Sequence, residues 1–390
     1  MRIRHFVGTL AVALLSSGLA TAAPNVTNVT QKGSLIVFPA ISIAGLQSNV
    51  DTLVRIQNDG SSDVDVKCYW MDANKNRVDF IFPLTRNQAV WFDARTGNGT
   101  YQVNHFPTTV ANGFDNPFIP PFTTPGPGPV TTVTTGILAC WAVDGGAQNQ
   151  IKWNHLSGTA TLYAPVGAAL EYSAYAFYVP TGADLAPIGV AGSLNLNGLE
   201  YDACPLYQIG QFTPAGAAPP AGAPFVQSNL LFVSGCTLDL RQDWTPVFTK
   251  LQFDVWNEDE VKFTGAYECA DSFHFTAFNE GTSTLIGGSL SASLDGIDSA
   301  AQNFQAATLG SYAARYRVQG VKSTQCEKPA TTGATDTYRP AITTQAVGIV
   351  GMQLTGVATR IVGTTLAGAG KFNGKISWDP SSAVPEGGVR

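Results

Sequence analysis

Apolar and polar residues alternate over many short segments of this chain. Over residues 63–70 the side chains at every second position, from Val64 to Trp70, share one face, and Asp63, Asp65 and Lys67 share the other. Residues 78–84 repeat the pattern with Val, Phe, Phe and Leu at alternate positions. A period of two is typical of a strand with one face buried and one face in water. The polar residues between the two segments therefore predict a hairpin turn.

Similar segments follow one another along most of the chain, which predicts a mostly β protein. The predicted strands cover residues 34–43, 52–58, 63–70, 78–84, 89–93, 134–143, 151–163, 170–179, 251–257, 312–321, 344–354 and 371–378. The Ala-rich segment 170–179 fits a helix as well as a strand, and Asn197-Gly198 indicates a hairpin between residues 193–194 and 199–201. Only residues 298–307 predict a helical turn. The 40 Gly and 23 Pro also favour tight turns over long helices.

Two proline-rich stretches divide the chain. Residues 117–129 predict an extended surface loop, because proline removes hydrogen-bond donors from a sheet. We expect two antiparallel β-sandwich domains, immunoglobulin-like or jelly-roll-like, with long Pro/Gly-rich loops. The expected organisation is a signal peptide at 1–22, one sandwich at 23–205, a Pro/Ala/Gly linker or loop at 206–225, a second sandwich at 226–380 and a disordered tail at 381–390.

The segments TLVRIQNDG, VDVKCYWMDANKN and AVWFD succeed one another between residues 52 and 93. In this order they resemble the immunoglobulin-like modules of bacterial surface proteins, and the resemblance covers residues 33–95. It implies a seven-stranded sandwich used as a spacer or binding module, and it assigns no functional residue. Residues 251–257 (LQFDVWN) also resemble residues 53–58, which predicts a weak internal duplication.

The N-terminus has the pattern of a secretory signal peptide. Arg2 and Arg4 precede an apolar run over residues 6–15, and Ala20-Thr21-Ala22 is a small-residue cleavage site. The apolar run is too short to span a bilayer. We therefore expect an exported protein in an extracellular, cell-surface or periplasmic location.

Six cysteines follow the signal peptide, and none of them forms a Cys-x-x-Cys pair. An even number in an exported chain favours disulfides over a zinc site or a redox motif. Sequence alone leaves the pairing open among all combinations. We predict Cys204–Cys236 and Cys269–Cys326, which leaves Cys68–Cys140 as the third pair.

Charge patterning narrows the choice of partners. Charged residues make up 13% of the chain, against about 25% in an average protein, and the net formal charge is −6. Lys and Arg form no cluster along the sequence, although nucleic-acid or anionic-lipid binding needs a basic footprint. We therefore expect no nucleic-acid partner.

Residues that could carry catalysis or hold a metal are scattered. His105, His155 and His274 stand far apart without a second ligand close in sequence, so isolated histidines are the preferred interpretation. The segment 287–291 lacks the closing glycine of a serine-hydrolase elbow. We expect no catalytic residue, no metal and no cofactor.

Two polar clusters have ordinary structural interpretations. The segment 72–76 begins like a calcium loop, but Arg77 stands where that loop requires glycine. The acidic residues 258–260 predict a solvated hairpin tip, because neighbouring residues on a turn do not face each other as a glycosidase pair must.

Seven tryptophans suggest a surface for carbohydrate, since flat aromatic faces stack on sugars. Trp70 and Trp256 sit in alternating strands and are predicted to pack in the core. Trp91 and Trp153 are the candidate ligand contacts. We expect a secreted structural or interaction protein without catalytic activity, with a surface protein or a glycan as partner and self-association through edge strands as a further hypothesis. A carbohydrate-binding protein is the alternative, followed by a secreted hydrolase or metalloprotein.

Overall fold

A computed structural model provides the architecture of the chain. It describes residues 25–42, 51–71, 77–94, 99, 135–146, 149–163, 169–190, 192–214, 225–236, 249–270, 273–277, 309–326, 342–344, 347–359, 371–375 and 383–384. Within these ranges the chain is built almost entirely from short β-strands, which confirms the predicted class. No helix in these ranges is long and apolar enough to cross a membrane.

The strands are numbered in chain order. The first half of the chain forms β1 (Leu35–Ser42), β2 (Asp51–Asn58), β3 (Val64–Met71), β4 (Arg77–Leu84), β5 (Ala89–Asp93), β6 (Thr135–Val143), β7 (Leu156–Tyr163), β8 (Ala169–Ser173), β9 (Tyr175–Phe177) and β10 (Cys204–Pro205). The second half forms β11 (Tyr207–Phe212), β12 (Phe225–Gly235), β13 (Thr249–Asn257), β14 (Lys262–Ala270), β15 (His274–Ala277), β16 (Ala314–Val321), β17 (Ser323–Cys326), β18 (Ile342–Thr344), β19 (Ile349–Thr359), β20 (Lys371–Lys375) and β21 (Ala383–Val384).

Four larger antiparallel sheets organise these strands. The outer N-terminal sheet has the order β5-β2-β7-β8, and the inner N-terminal sheet has the order β4-β3-β6-β1-β9. The inner C-terminal sheet has the order β15-β12-β19-β20, and the outer C-terminal sheet has the order β11-β16-β13-β14. Two small ladders, β10-β21 and β17-β18, complete the described pairings.

The two N-terminal sheets pack face to face as a sandwich. Phe82 of the inner sheet and Phe92 of the outer sheet meet edge to face, with ring centroids 6.4 Å apart. The alternation predicted for β3 is confirmed, and Trp70 is buried in the core as predicted. Tyr69 and Met71, on the opposite face of β3, are buried as well. This end of the inner sheet is therefore covered on both sides.

The two faces of β12 belong to two different hydrophobic clusters. Leu230 and Phe232 join the cluster that contains the N-terminal sandwich, whereas Leu231 and Val233 join the core between the two C-terminal sheets. Alternating membership follows from the period of two in a strand. A strand that is apolar on both faces needs a layer on each side.

The inner C-terminal sheet packs against the inner N-terminal sheet at β1. All eight residues of β1 are buried, and both β12 and β19 contact this strand. The hydroxyl of Tyr175, in the neighbouring strand β9, donates a hydrogen bond of 2.9 Å to the carbonyl oxygen of Gly351 in β19. The four sheets therefore follow one another as layers, with the two inner sheets in the middle.

Disulfides join strands and loops in both halves. Cys68 and Cys140 lie directly opposite each other on β3 and β6, with Cα atoms 4.1 Å apart, and form one bridge. Cys204 and Cys236 form a second bridge with a Cα separation of 6.3 Å. Both predicted pairs are confirmed. Cys269 is also disulfide-bonded, while its pairing with Cys326 stays a prediction because the Cys326 side chain lies outside the described part.

Several local predictions need correction. The proposed linker at 206–225 begins with strand β11, which pairs with β16, so its first residues belong to the outer C-terminal sheet. The proposed disordered tail at 381–390 contains β21, which pairs with Cys204–Pro205. The segment around Asn197-Gly198 turns as expected, with a φ of +77° at Gly198, but the flanking residues form a loop and no strands.

The structure settles one further prediction, and others concern residues outside the described ranges. Residues 170–179 form strands β8 and β9 and no helix. The helical turn at 298–307, the proline-rich loop at 117–129 and the turn at 72–76 fall outside the described residues. The expected division into two domains stays a prediction, although one hydrophobic cluster runs across the proposed boundary.

The weak internal duplication falls on β2 and β13, which occupy corresponding places. Each strand lies inside an outer sheet and ends in an asparagine, Asn58 or Asn257. The side-chain oxygen of each asparagine accepts a hydrogen bond from the backbone N–H two residues later. Each amide group also donates to a distant carbonyl, that of Thr85 or Leu309. The two halves therefore end this strand with the same turn chemistry.

Candidate functional site

The exposed face of the outer N-terminal sheet carries polar and aromatic side chains in rows. The cross-strand register aligns one residue from each strand in a single row: Trp91, Arg55, Thr159 and Ser173. A second row is formed by Asp93, Leu53, Thr161 and Glu171. Neighbouring side chains in such rows lie about 5 Å apart, close enough to contact one ligand together.

Trp91 and Tyr163 are exposed aromatic residues of this face. The Trp91 side chain is 43% exposed, although Val90 and Phe92 on either side of it in β5 are buried. The period of two places the flanking apolar residues in the core and directs Trp91 outward. Tyr163 at the end of β7 is 37% exposed, and its hydroxyl donates a 2.7 Å hydrogen bond to Asp93. Two flat aromatic rings therefore lie on one sheet face.

Polar side chains between these rings bind one another. The Arg55 guanidinium forms an exposed ion pair with Glu171, whose carboxylate also accepts a hydrogen bond of 3.1 Å from Thr161. The Gln57 amide donates a bond of 2.8 Å to the Ser157 hydroxyl. Exposed ion pairs contribute little to stability, about 0–1 kcal/mol. Their groups can therefore exchange partners with a polar ligand at small cost.

A groove of about 460 Å³ lies where this face meets the segment that precedes β1. The side chains and backbone that line it include Gln31, Lys32, Arg55, Gln57, Trp91 and Ser157. Residues 29–32 form one wall, and β2, β5 and β7 form the other. The groove thus offers an aromatic ring, a guanidinium, an ammonium, amides and a hydroxyl to one ligand.

The wall at residues 29–32 is held by a set of exposed and partly buried hydrogen bonds. Asn28 accepts from the backbone N–H groups of Thr30 and Gln31. The Gln31 amide donates to the Asp202 carboxylate and to the Ala176 carbonyl, each at 2.6 Å. Burial raises the pKa of Asp202, and the hydrogen bonds from Tyr178 and Gln31 oppose that shift. A partly satisfied buried carboxylate therefore anchors the groove wall.

Charged groups next to Lys32, which lines the groove, are paired. The Lys32 ammonium contacts the Asp59 carboxylate, and the His155 ring lies 3.5 Å from Asp59 and 3.3 Å from Asp184. This cluster has two carboxylates and one histidine. Within the described residues, no group of three or more His, Cys, Asp or Glu side chains is arranged to hold a metal ion.

The two candidate tryptophans differ in their burial. Trp153 is 2% exposed, its indole N–H donates a 2.9 Å bond to Asn58, and it cannot present a face to a ligand. The prediction of Trp153 as a ligand contact is wrong, because its side chain is buried in the core, as is that of Ile151. Trp91 does lie on the surface. Trp256, predicted in the core, is instead partly exposed on the outer C-terminal sheet. His105 and the side chain of His274 lie outside the described part.

Sequence reasoning missed most of the groove. Gln31 and Lys32 come from the segment before β1, and Ser157 comes from a strand more than a hundred residues later. The alternation in β2, which turns Arg55 and Gln57 outward, was the available signal. The pairing of β2 with β7 was not visible in the sequence.

Comparisons with known protein families and curated proteins assign no family or function to this chain. No protein-family model matches the chain, and no curated protein matches its sequence. The resemblance to immunoglobulin-like modules stays a prediction. Functional inference for this protein therefore depends on its surface chemistry.

We expect Asp202→Asn to remove one component of the pH dependence of stability. The folded pKa of Asp202 lies above its ordinary value of 3.8, so the unfolded chain loses this proton first. Wild-type stability from this group is therefore fully present below pH 3.8 and falls as the pH rises through the folded pKa. A tenfold difference in proton affinity between the folded and unfolded states corresponds to about 1.4 kcal/mol. Urea unfolding of both proteins between about pH 3 and about pH 7 measures the difference.

Other shifted carboxylates cancel in this comparison. The pKa of Asp65 is also raised, by burial and by Asp144, but this group is the same in both proteins. The difference in unfolding free energy, wild type minus variant, is expected to fall with rising pH. A difference that stays constant across the range would show that Asp202 is not held in an unfavourable environment.

Proposed function

We propose that the protein is exported and acts as a non-catalytic interaction protein that binds carbohydrate at the groove beside Trp91. The observation that carries the proposal is an exposed tryptophan on a sheet face, next to amide, hydroxyl and charged side chains that line one groove. Such a combination suits a ligand with flat apolar faces and many hydroxyl groups. Sugars have both properties.

Export is supported by two independent features. Residues 1–22 have the pattern of a signal peptide. The bridges Cys68–Cys140 and Cys204–Cys236 require an oxidising compartment to persist. Together they favour an extracellular, cell-surface or periplasmic location.

A binding role is favoured over catalysis by the state of the groove residues. The Arg55 guanidinium and the Lys32 ammonium are each paired with a carboxylate on the surface. Gln57 and Ser157 bind each other. These groups can recognise hydroxyls through hydrogen bonds, whereas acid–base catalysis needs a pair of groups held at different protonation states.

The sheet also suits a binding role because it holds the groove residues rigidly. Trp91, Arg55 and Ser157 project from paired strands whose opposite face is buried in the core. Side chains that are ordered before binding lose less conformational entropy when the ligand arrives. Self-association through edge strands stays a separate prediction.

Export predicts a defined mature chain. When the natural host produces the protein, the extracytoplasmic fraction should contain a chain that begins at Ala23. Its intact mass should be lower than that of the reduced chain by two hydrogens for each of three disulfides. Mass spectrometry with and without reductant checks both. Retention of residues 1–22, or full-length protein confined to the cytoplasm, would contradict export.

Carbohydrate binding should depend on Trp91. We expect Trp91→Ala to lose at least about tenfold in affinity for a glycan that the wild type selects on a glycan array, because a stacking contact of about 1.4 kcal/mol or more is removed. Trp91→Phe should retain part of the affinity because it keeps a flat ring. Titration with the selected glycan measures the change.

Tyr312→Ala is the matched control, since Tyr312 is 58% exposed and does not line the groove. It should bind like the wild type. Equal affinity of wild type and Trp91→Ala for every selected glycan would rule out this groove as the site, and a wild type that selects no glycan would rule out the ligand class.

A further inference from the structure

The exposed face of the outer C-terminal sheet brings together basic and aromatic side chains that are scattered in the sequence. They come from all four strands of the sheet. The cations are Lys250, Lys262, Arg315 and Arg317, and the aromatic residues are Tyr207, Trp256 and Tyr267. The sequence showed no cluster of Lys and Arg, because strand pairing alone creates this one.

Trp256 lies at the centre of a row across three strands. It is paired in register with Lys262 of β14 on one side and with Arg315 of β16 on the other. The Arg315 guanidinium lies 4.5 Å from the centre of the indole ring, and the Lys262 ammonium lies 5.4 Å from it. Cations at these distances are attracted by the ring and are held in place over it.

The basic residues continue along the sheet. The Lys250 ammonium lies 4.2 Å from the centre of the Tyr267 ring, and the Arg317 guanidinium lies 5.8 Å from the centre of the Tyr207 ring. Lys250 and Trp256 are six positions apart on β13, which corresponds to about 20 Å. The face is therefore long enough for a chain-like ligand to touch several cations at once.

The charge of this face differs from that of the whole protein. One carboxylate, that of Asp254, is buried beneath the cations and lies 3.2 Å from Lys262 and 2.5 Å from Arg317. Among the described residues no carboxylate pairs with Arg315, which is exposed. A net charge of −6 for the chain makes this local excess of cations a distinct feature.

The acidic tip between β13 and β14 limits the face at one end. Residues 258–260 form the hairpin turn, where Asn257 accepts hydrogen bonds from the backbone N–H groups of Asp259 and Val261. The tip confirms the interpretation as a solvated turn. Its negative charges repel an anionic chain that extends past Trp256, so such a ligand is directed along the face toward Lys250.

We propose that this face is a second binding surface, for a polysaccharide that carries carboxylate or sulfate groups. The anionic groups pair with Arg315, Lys262 and Lys250, whose side chains are already ordered by the aromatic rings. Arg315 provides a planar guanidinium that binds a carboxylate or sulfate through two parallel hydrogen bonds. The proposal does not depend on the groove beside Trp91, which lies on the other outer sheet.

A polysaccharide fits this face better than a nucleic acid does. Single-stranded nucleic acids bind by stacking bases on open aromatic faces, but the Trp256 ring is already occupied by Arg315 and Lys262. A regular phosphate backbone also needs an extended basic track, and here the acidic tip ends the basic face next to Trp256. An anionic polysaccharide needs only spaced cations.

Binding assays with four polymers test the proposal on the full mature chain. Polygalacturonate carries carboxylates, dextran sulfate carries sulfates, dextran is neutral, and oligothymidylate represents nucleic acid. We expect binding to one or both anionic polysaccharides, weakening with added salt, and weaker binding to dextran and oligothymidylate. Arg315→Gln should lower the affinity for the anionic polysaccharide by about fivefold. The double variant Arg315→Gln with Lys262→Gln should lower this affinity further.

Lys152→Gln is the matched control, because Lys152 also lies over a tyrosine, Tyr178, but on the other half of the chain. It removes the same charge and should bind like the wild type. Arg317 is left intact so that Asp254 keeps a partner. No binding to either anionic polysaccharide at low salt, tighter binding to oligothymidylate, or an equal effect of Lys152→Gln and Arg315→Gln would each overturn the proposal.

Discussion

The packing of β12 and β19 against β1 is the contact on which the rest of the structure depends. Residues 230–233 of β12 and residues 349–354 of β19 are buried on both faces, so these strands need a layer on each side. The contact joins two sandwiches into consecutive layers, with Phe232 and Met352 on one side and the fully buried β1 on the other. The Tyr175 hydroxyl reinforces it by satisfying the Gly351 carbonyl in β19.

This arrangement leaves the two outer sheets free to carry polar chemistry. Each outer sheet buries one face and exposes the other, and the alternation of its strands separates core residues from surface residues. The two exposed faces differ. The N-terminal face combines Trp91 with paired charges and amides, whereas the C-terminal face combines Trp256 with cations in excess. The two proposed binding surfaces therefore lie on separate outer sheets of one scaffold.

The sequence predicted β1 to β9 in the first half of the chain and missed β11 and β12 in the second half. The alternation in β3 revealed the strand and the buried Trp70, since a period of two marks one wet face. Leu230 to Val233 of β12 are buried on both faces, so apolar and polar residues do not alternate there. The strand also follows a Pro/Ala/Gly segment that was interpreted as a linker. The same limit applies to the sites: Trp91 was a candidate, but Arg315 and Lys262 become neighbours of Trp256 only through cross-strand register.

Hydrogen exchange on the full chain, read by mass spectrometry, tests the shared core most directly. Phe232→Ala truncates a side chain that is 1% exposed, and such a change costs about 3–5 kcal/mol. If the inner sheets form one cooperative core, peptides from β1 and from β19 should lose protection by the same factor, while Val190→Ala, at a site 67% exposed, should change neither. Faster exchange confined to β12 and β19, with the exchange of β1 unchanged, would contradict a single cooperative core.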